Sequence, residues 1–250
     1  MKWVNNERGS ATFIMFSLLA GMIIMGFIFF DMTSVFMERR ISQTGSDAAA
    51  IAAAQKAEEV YEDRIEEKIK DSIDHLETRT KDQIEQWEEE FEEMQEDSEP
   101  GPSPISWDEF FDEKFEEWIE QIEEEHDHRS MPSGIVSYLR YNIPLDIDIE
   151  NAMKFFWNEE QLSNLICEAV LDHKDDEIRD AAQHYADLNG IENDISVVFP
   201  VEEDEFKVGI RTKSTINDSF VDSVNTDELK VPANAVVNIQ KPRDINVVCD

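Results

Sequence analysis

An uncharged apolar stretch at residues 11–30 limits this 250-residue chain more than any other feature. Twenty residues rise about 30 Å as an α-helix, which is the thickness of the hydrocarbon core of a bilayer. A secretory signal has a shorter apolar core of roughly 7–15 residues, and a small-residue cleavage site follows it at once. In this chain the apolar stretch is followed by Asp31 and residues 32–40, which do not form a small-residue cleavage site. The sequence therefore predicts an uncleaved, single-pass transmembrane helix over residues 11–30, embedded in the plasma membrane.

The orientation of the span rests on a weaker signal. Two basic residues precede the span and Arg39 and Arg40 follow it, so the basic-residue rule is nearly balanced. A tail of ten residues is most simply placed on the cytoplasmic side. We therefore expect residues 1–10 in the cytoplasm and the remainder of the chain outside it.

Two small residues in the span, Ser17 and Gly21, lie four positions apart. Such a pair lets the backbone of a partner helix approach closely. The alternative is that both residues face lipid, because small residues at this spacing also occur by chance.

The net charge of −36, from 58 acidic and 22 basic residues, excludes several classes of partner. Nucleic acid binding needs clustered Lys and Arg to neutralise phosphates, so we expect no nucleic acid partner. The same charge argues against tight docking of the soluble part on anionic lipid. The acidic residues concentrate in residues 57–128, which contain 30 acidic and six basic residues.

Helical periodicity dominates the region after the span. Alanine, the strongest helix former, fills much of residues 48–57. Apolar or tolerated residues then recur every 3.7 positions on average, as in one stripe of a nearly straight helix. They are Tyr61, Ile65, Ile69, Ile73, Leu76, Thr80, Ile84, Trp87, Phe91 and Met94.

A proline-rich break at residues 97–104 ends this helix, and a second amphipathic helix follows. Ser106 is its expected N-cap, with Glu109 as the capping-box partner. We expect a helical hairpin locked by four aromatic residues, with a disordered acidic spacer as the alternative. The four are Trp87, Phe91, Phe115 and Trp118.

The last 120 residues show a mixed pattern. Residues 138–149 are expected to be irregular or a short strand, and residues 152–157 to be an aromatic core cluster. Helices are predicted over residues 159–173 and from 175 or 176 to 188, the second with Tyr185 and Leu188 inward and Asn189-Gly190 as its C-cap. Strands are predicted at 194–201, 206–212, 235–239 and 245–248.

These patterns give the predicted organisation. The fold class is mainly α with a small α+β distal domain, in which helices pack on a short antiparallel sheet. The predicted segments are a tail at 1–10, the span at 11–30, an acidic helical stalk and hairpin at 31–130, and a distal extracytoplasmic domain at 131–250.

No catalytic motif is present, and two candidate metal sites have simpler interpretations. His126 and His128 lack a matching third ligand, so a solvated helix end is favoured over zinc. Asp146, Asp148 and Glu150 would share one face of a strand, but they lack the loop of a calcium site. We predict no enzyme activity, no metal or other cofactor and no small-molecule substrate.

The chain has two cysteines, Cys167 and Cys249, too few for a disulfide scaffold. In an exported domain they are candidates for one disulfide that would tie down the C-terminus. Two free thiols are the alternative.

One ordered pattern of residues surrounds the span. Arg8 and Gly9 lead into it, Asp31 follows it, then come Arg39 and Arg40, and finally Asp47 with an alanine-rich run starting at Ala48 and Ala49. This pattern resembles the N-terminal region of TadE/TadG-like proteins of the tight-adherence (Flp) pilus-assembly system. Pseudopilin members of that group are cut after a Gly and carry Glu at the fifth mature position. Here Ile14 would occupy that position, so the chain looks more like the uncleaved TadG-like type, or like unassigned members that share only this N-terminal region.

The resemblance implies a structural or assembly component of a bacterial envelope pilus apparatus. Its partners would be the lipid bilayer, other pilus-assembly or envelope proteins and, as a candidate, further copies of itself. The order helix, Asn-Gly, strand, acidic turn, strand also resembles the distal region of pilin-like proteins. The alternative function is an anchored adhesin or sensor whose acidic surface binds cations or a basic partner.

Overall fold

The computed structural model describes residues 7–96, 105–144, 147–191, 195–202, 205–215 and 230–249. Within these ranges the chain is mainly helical, with one three-stranded antiparallel sheet near its C-terminal end, which confirms the predicted fold class. The elements are α1 (Glu7–Glu96), α2 (Trp107–Glu125), α3 (Ser133–Tyr141), α4 (Ile149–Phe156), α5 (Glu159–Asp172), α6 (Glu177–Leu188), β1 (Ser196–Val198), β2 (Lys207–Thr215) and β3 (Lys230–Asn238).

Helix α1 runs without interruption for 90 residues from the apolar span into the acidic region. The predicted apolar stripe is confirmed from Tyr61 to Phe91, where all but Ile84 are buried. Met94, at the end of the stripe, is exposed. The acidic residues between the stripe positions occupy the solvated faces, where salt and water screen their mutual repulsion.

Contacts divide the chain into two compact units. The first contains residues 1–54, 174–201 and 207–238, and the second contains residues 55–173, 202–206 and 239–250. Helix α1 contributes residues to both. The second unit takes in the acidic helical pair together with α3, α4 and α5. The predicted division between a stalk and hairpin at 31–130 and a distal domain at 131–250 stays a prediction.

In the first unit, the sheet has the strand order β1-β2-β3, with both pairs antiparallel. Val208, Ile210 and Ala235 point to its buried face, whereas Arg211 and Asn234, opposite one another, point to its exposed face. An antiparallel sheet tolerates one wet face, and the alternation of apolar and polar residues is its sequence signature. The sheet packs through its buried face and leaves the other to solvent.

The second helix of the acidic pair starts as predicted. Ser106 caps α2 and forms a capping box with Glu109, and Phe110, Phe115, Trp118 and Ile122 are buried along one face. The predicted proline-rich break at 97–104 lies outside the described residues.

Three predictions of secondary structure were wrong. Residues 138–141, predicted to be irregular or a short strand, are the C-terminal part of α3, which begins after Pro132, whose carbonyl accepts the first helical bonds. Asp148 and Glu150 do not lie on a strand, because Asp148 is the N-cap of α4. Residues 245–248 form no strand and run instead beside α5.

The inward faces of the two later helices were only partly predicted. Helix α5 buries Leu162, Ile166 and Val170 as expected, and residues 152–156 of α4 form the expected core cluster. In α6, however, Tyr185 and Leu188 are exposed, and the buried positions are Ile178, Ala182 and Ala186. The narrow buried stripe of α6 therefore consists mostly of alanine, and the larger apolar side chains lie outside it.

Candidate membrane anchor and assembly surfaces

Among the described residues, one helix is long and apolar enough to cross a membrane, and its apolar window is entirely unburied. Every residue from 11 to 30 is exposed. Large apolar side chains on all sides of a helix are unfavourable in water and favourable in hydrocarbon. The composition and exposure of this segment are those of a membrane-spanning helix.

Ser17 and Gly21, the predicted contact pair in the span, lie on an open surface. Both are exposed, and no other residue that the structure describes lies within 4 Å of a Cβ placed on Gly21. The same is true of Gly26, on another face of the helix. Contact with a partner helix at Ser17 and Gly21 stays a prediction.

The residues that carry the family pattern lie on α1 at different distances from the span. Gly9 is in its first turn, and Asp31 is half-buried just past the uncharged stretch. Asp47 is exposed, Ala48 is half-buried and Ala49 is fully buried. The pattern thus begins before the membrane segment and ends in a packed interior.

The buried end of this pattern is the seat on which the sheet rests, here called the small-residue seat (residues 42–54). Its buried members are all small, which leaves room for other elements to pack on this face of α1. They are Ser42, Gly45, Ser46, Ala49, Ala50, Ala52, Ala53 and Ala54. A Cβ on Gly45 would lie 2.5 Å from Cδ1 and 2.8 Å from Cγ1 of the buried Ile191, so any side chain here would force Ile191 to shift.

Polar contacts fix the sheet to the seat. The Ser46 hydroxyl lies 2.7 Å from the Thr212 hydroxyl and also donates to the Ser42 carbonyl. The Gln43 amide donates to the Asp47 carboxylate at 2.9 Å and to the Asn234 carbonyl at 3.2 Å. Asp47 therefore orients the side chain that bonds the outer strand β3, which gives this family-pattern residue a structural role.

In the second unit, α1 and α2 meet along an aromatic seam, defined here as Trp87, Phe91, Trp107, Phe110, Phe111, Phe115 and Trp118. Phe91 lies 5.3 Å from both Trp107 and Phe110, measured between ring centroids. The Trp118 indole donates to the buried Thr80 hydroxyl at 3.1 Å, so this polar position in the stripe is satisfied. The sequence analysis did not predict a role for Trp107, which is the first residue of α2 and directly follows the N-cap Ser106.

Ion pairs reinforce the same helical pair. The Arg79 guanidinium donates two hydrogen bonds of 2.8 Å to the Glu125 carboxylate, and these bonds lower the pKa of Glu125. Lys114 reaches Glu90 at 2.9 Å. Glu77 accepts from Lys81 and from the Tyr138 hydroxyl, which lowers its pKa as well. Arg79 and Lys114 thus join α1 to α2, whereas Lys81 pairs with Glu77 within α1.

The structure pairs Cys167 of α5 with Cys249 in a disulfide, with the Cα atoms 5.6 Å apart. Beside it, Ser163 donates to the Val248 carbonyl and accepts from the Val248 amide, both at 2.8 Å. The Ser163 side chain therefore supplies the two bonds that a strand partner would give. Val248 is thus bonded to α5, and residues 245–248 form no strand.

His126 differs from its predicted state as a solvated helix end. Its ring lies 4.6 Å from Phe155 and 5.8 Å from Phe156, and burial lowers its pKa. His128 and Asp127 are exposed. Within the described part of the chain, no three His, Cys, Asp or Glu side chains are grouped to hold a metal ion. Asp146 lies outside the described residues.

Comparison with known families gives one match. Residues 9–56 match the model of the Tad family, putative Flp pilus-assembly TadE/G-like. The match begins at Gly9, covers the whole apolar span and ends just beyond the small-residue seat. No curated protein and no solved structure matches the chain. The N-terminal region therefore matches a Tad-like pilus-assembly segment, which confirms the resemblance recognised in the sequence.

Proposed function

We propose that this chain is a membrane-anchored, non-enzymatic structural component of a bacterial Flp (Tad) pilus-type envelope apparatus. The observation that carries the proposal is the match of residues 9–56, because those residues include both the apolar span and the seat for the sheet. In this function the span holds the chain in the bilayer, and the two soluble units offer surface to other assembly proteins.

We infer that the N-terminus is cytoplasmic and that the soluble units lie outside the cytoplasm. The Cys167–Cys249 pair supports this placement, since disulfides persist in oxidising compartments and are rare in the cytosol. The acidic surface supports it too, because 58 carboxylates keep an exposed assembly protein hydrated and prevent unspecific association.

The proposal is tested in the source bacterium by deleting the gene and restoring it with variants. Loss of pili on deletion, with recovery by the unchanged chain, is the expected result. Cross-linking in membranes should also recover the chain with other pilus-assembly proteins. Normal piliation after deletion, together with no such cross-link, would contradict the proposal.

Variants of the span sharpen the test. If Ser17 and Gly21 seat a partner helix, Ser17→Leu with Gly21→Leu should reduce that cross-link, because bulky side chains keep the backbones apart. Gly26→Leu is the matched control, since it adds the same side chain at an equally open position on another face. Equal cross-linking in both variants would remove the contact role of Ser17 and Gly21 while leaving the anchor intact.

A further inference from the structure

Two adjoining cavities within the second unit form a groove beside α1, here called the α1–α4 groove. The first cavity has a volume of about 360 Å³ and lies beside residues 61–66, and the second has a volume of about 390 Å³ and lies beside residues 66–74. Glu66 of α1 and Ile149 of α4 line both cavities, so the two are neighbours. Cavities of this size can hold a small ligand or the side chains of a partner.

The floor of the groove is apolar. It consists of buried side chains from α1 and α4, which are Tyr61, Ile65, Ile69, Ile73 and Met153. Ile149, where the two cavities meet, is 42% exposed. An occupant with aliphatic side chains would cover Ile149 and remove its apolar surface from water.

The length of the groove suits a helix. The stretches of α1 beside the two cavities are centred about 10 Å apart along the helix axis. Residues i and i+7 of an α-helix lie on one face and are separated by about the same distance. An amphipathic helix laid along α1 can therefore place one apolar side chain in each cavity.

The rim of the first cavity carries negative charge that the described chain does not balance. Glu62 and Glu66 are exposed one turn apart on α1, and neither has an ion-pair partner among the residues that the structure describes. Glu150 lines the same cavity but pairs with Lys154 at 2.7 Å. Burial, and then repulsion from neighbouring carboxylates led by Glu58, raises the pKa of Glu62. A cation placed here would stabilise the charged form of both free carboxylates.

The cations that line the groove leave this negative rim in place. Lys241 donates to the Val247 carbonyl at 3.1 Å, within its own segment. Arg243 belongs to the same segment, which borders the first cavity away from α1. In the second cavity Lys70 and Asp74 carry opposite charges and offset one another. The unbalanced negative charge is therefore on the α1 side of the first cavity.

We propose that the α1–α4 groove binds a basic amphipathic helix of another protein, with aliphatic residues seven positions apart in the two cavities and Lys or Arg facing Glu62 and Glu66. The stem of such a basic side chain covers apolar surface while its charged end meets the carboxylates. The inference rests on the proposed function, in which the soluble units bind other assembly proteins, and it names the chemistry of one such partner.

The test measures binding of labelled synthetic helical peptides to the full chain in phosphatidylcholine nanodiscs, by fluorescence anisotropy. Nanodiscs are used because detergent would compete for an apolar groove, and empty nanodiscs correct for binding to lipid. The first peptide carries two leucines seven positions apart and lysines along one flank. A second has glutamate in place of each lysine, and a third has serine in place of each leucine.

Variants of the chain separate the groove from general attraction to an acidic protein. Glu62→Gln with Glu66→Gln removes the charge of the rim. Glu85→Gln with Glu89→Gln is the matched control, since these residues form an exposed pair of the same spacing elsewhere on α1. Ile149→Trp fills the junction of the two cavities without changing the charge.

The expected result is binding of the leucine–lysine peptide alone. Its affinity should fall roughly three- to tenfold when the rim charge is removed, because two exposed ion pairs are lost. Ile149→Trp should weaken binding at least as much, while the control pair of substitutions should leave it unchanged.

Three results would overturn the inference. Equal weakening by the two pairs of glutamine substitutions, with no effect of Ile149→Trp, would show unspecific attraction to an acidic chain. Equal binding of the lysine and glutamate peptides would remove the basic partner. No binding of any peptide would remove the groove as a docking site, whereas the role in pilus assembly is decided separately by piliation after gene deletion.

Discussion

Helix α1 meets its neighbours in two different ways. Along the small-residue seat, Gly, Ser and Ala let other elements pack on α1, and even a methyl group on Gly45 would displace the buried Ile191. Along the aromatic seam, large rings from α1 and α2 interlock, with Phe91 placed between Trp107 and Phe110. The first contact depends on the absence of side chains and the second on their bulk.

This contrast predicts opposite sensitivities. Enlarging a residue in the seat forces the sheet away, whereas truncating a residue in the seam leaves a cavity. The family match includes the seat and ends before the seam. The matched segment therefore contains the apolar stretch and the seat, whereas the acidic pair is built on other residues.

Truncation in the seam should have the largest effect. Phe115 has 1% of its surface exposed. Phe115→Ala should lower the free energy of unfolding by about 3–5 kcal/mol, because neighbouring atoms cannot fill the cavity that the ring leaves. Urea unfolding of the chain in detergent, followed by hydrogen exchange in α2, measures the loss. Tyr141→Ala, at an exposed ring of the same unit, is the control. A similar loss of unfolding free energy in both variants would show that the stability of the second unit does not depend on the aromatic seam.

Loss of the disulfide should come next. Cys249→Ser opens a loop of 82 residues and should lower the free energy of unfolding by about 2–4 kcal/mol. The effect belongs to the second unit, so amides of α5 should exchange faster while those of β2 do not change. Reduction by dithiothreitol should reproduce the result in the unchanged chain. Equal melting with and without reductant would contradict it.

Enlargement in the seat should have an intermediate effect. Gly45→Leu should destabilise the first unit by about 1–3 kcal/mol, since the new side chain would displace the buried Ile191. Faster hydrogen exchange at Ile191 and in the strands that follow it would report the displacement. Gly21→Leu inserts the same side chain in open space and should leave these strands unchanged. An unchanged exchange rate in Gly45→Leu would show that the sheet does not need close contact.

A pH effect at His126 should be the smallest. Burial lowers its pKa in the folded chain, so the unfolded chain binds the proton more tightly. The contribution of neutral His126 is complete above the unfolded value of about 6.5 and is lost as pH falls through the lowered folded value. Melting temperatures of the unchanged chain and of His126→Gln should therefore diverge above that window and converge as acid is added. Parallel curves would show that the ring does not titrate in this way.

The sequence allowed prediction of the parts of the fold that depend on periodicity. The span, the stripe from Tyr61 to Phe91 and the Ser106 capping box follow from spacing and local chemistry alone. Residues 245–248 were predicted to be a strand because they alternate in the same way as one. In the structure the amide and carbonyl of Val248 bond to the hydroxyl of Ser163, which is 85 positions away in the sequence. These backbone groups therefore do not pair with a neighbouring strand.

The candidate surfaces were less predictable for a related reason. The alanine run predicts a helix, but its use as a seat depends on Thr212 and Asn234, far along the chain. Tyr185 and Leu188 fit a helical stripe, yet the buried stripe of α6 runs through its alanines. His126 was expected in solvent because its neighbours in sequence are polar, whereas its neighbours in space are Phe155 and Phe156.

The most direct test of the account is the behaviour of the full-length chain in its own membrane. After alkaline carbonate extraction it should remain in the membrane pellet, and protease added outside spheroplasts should remove everything beyond about the end of the exposed apolar surface at Met37. A chain found dissolved in the cytosol, or one whose acidic units resist external protease until the membrane is opened, would contradict it.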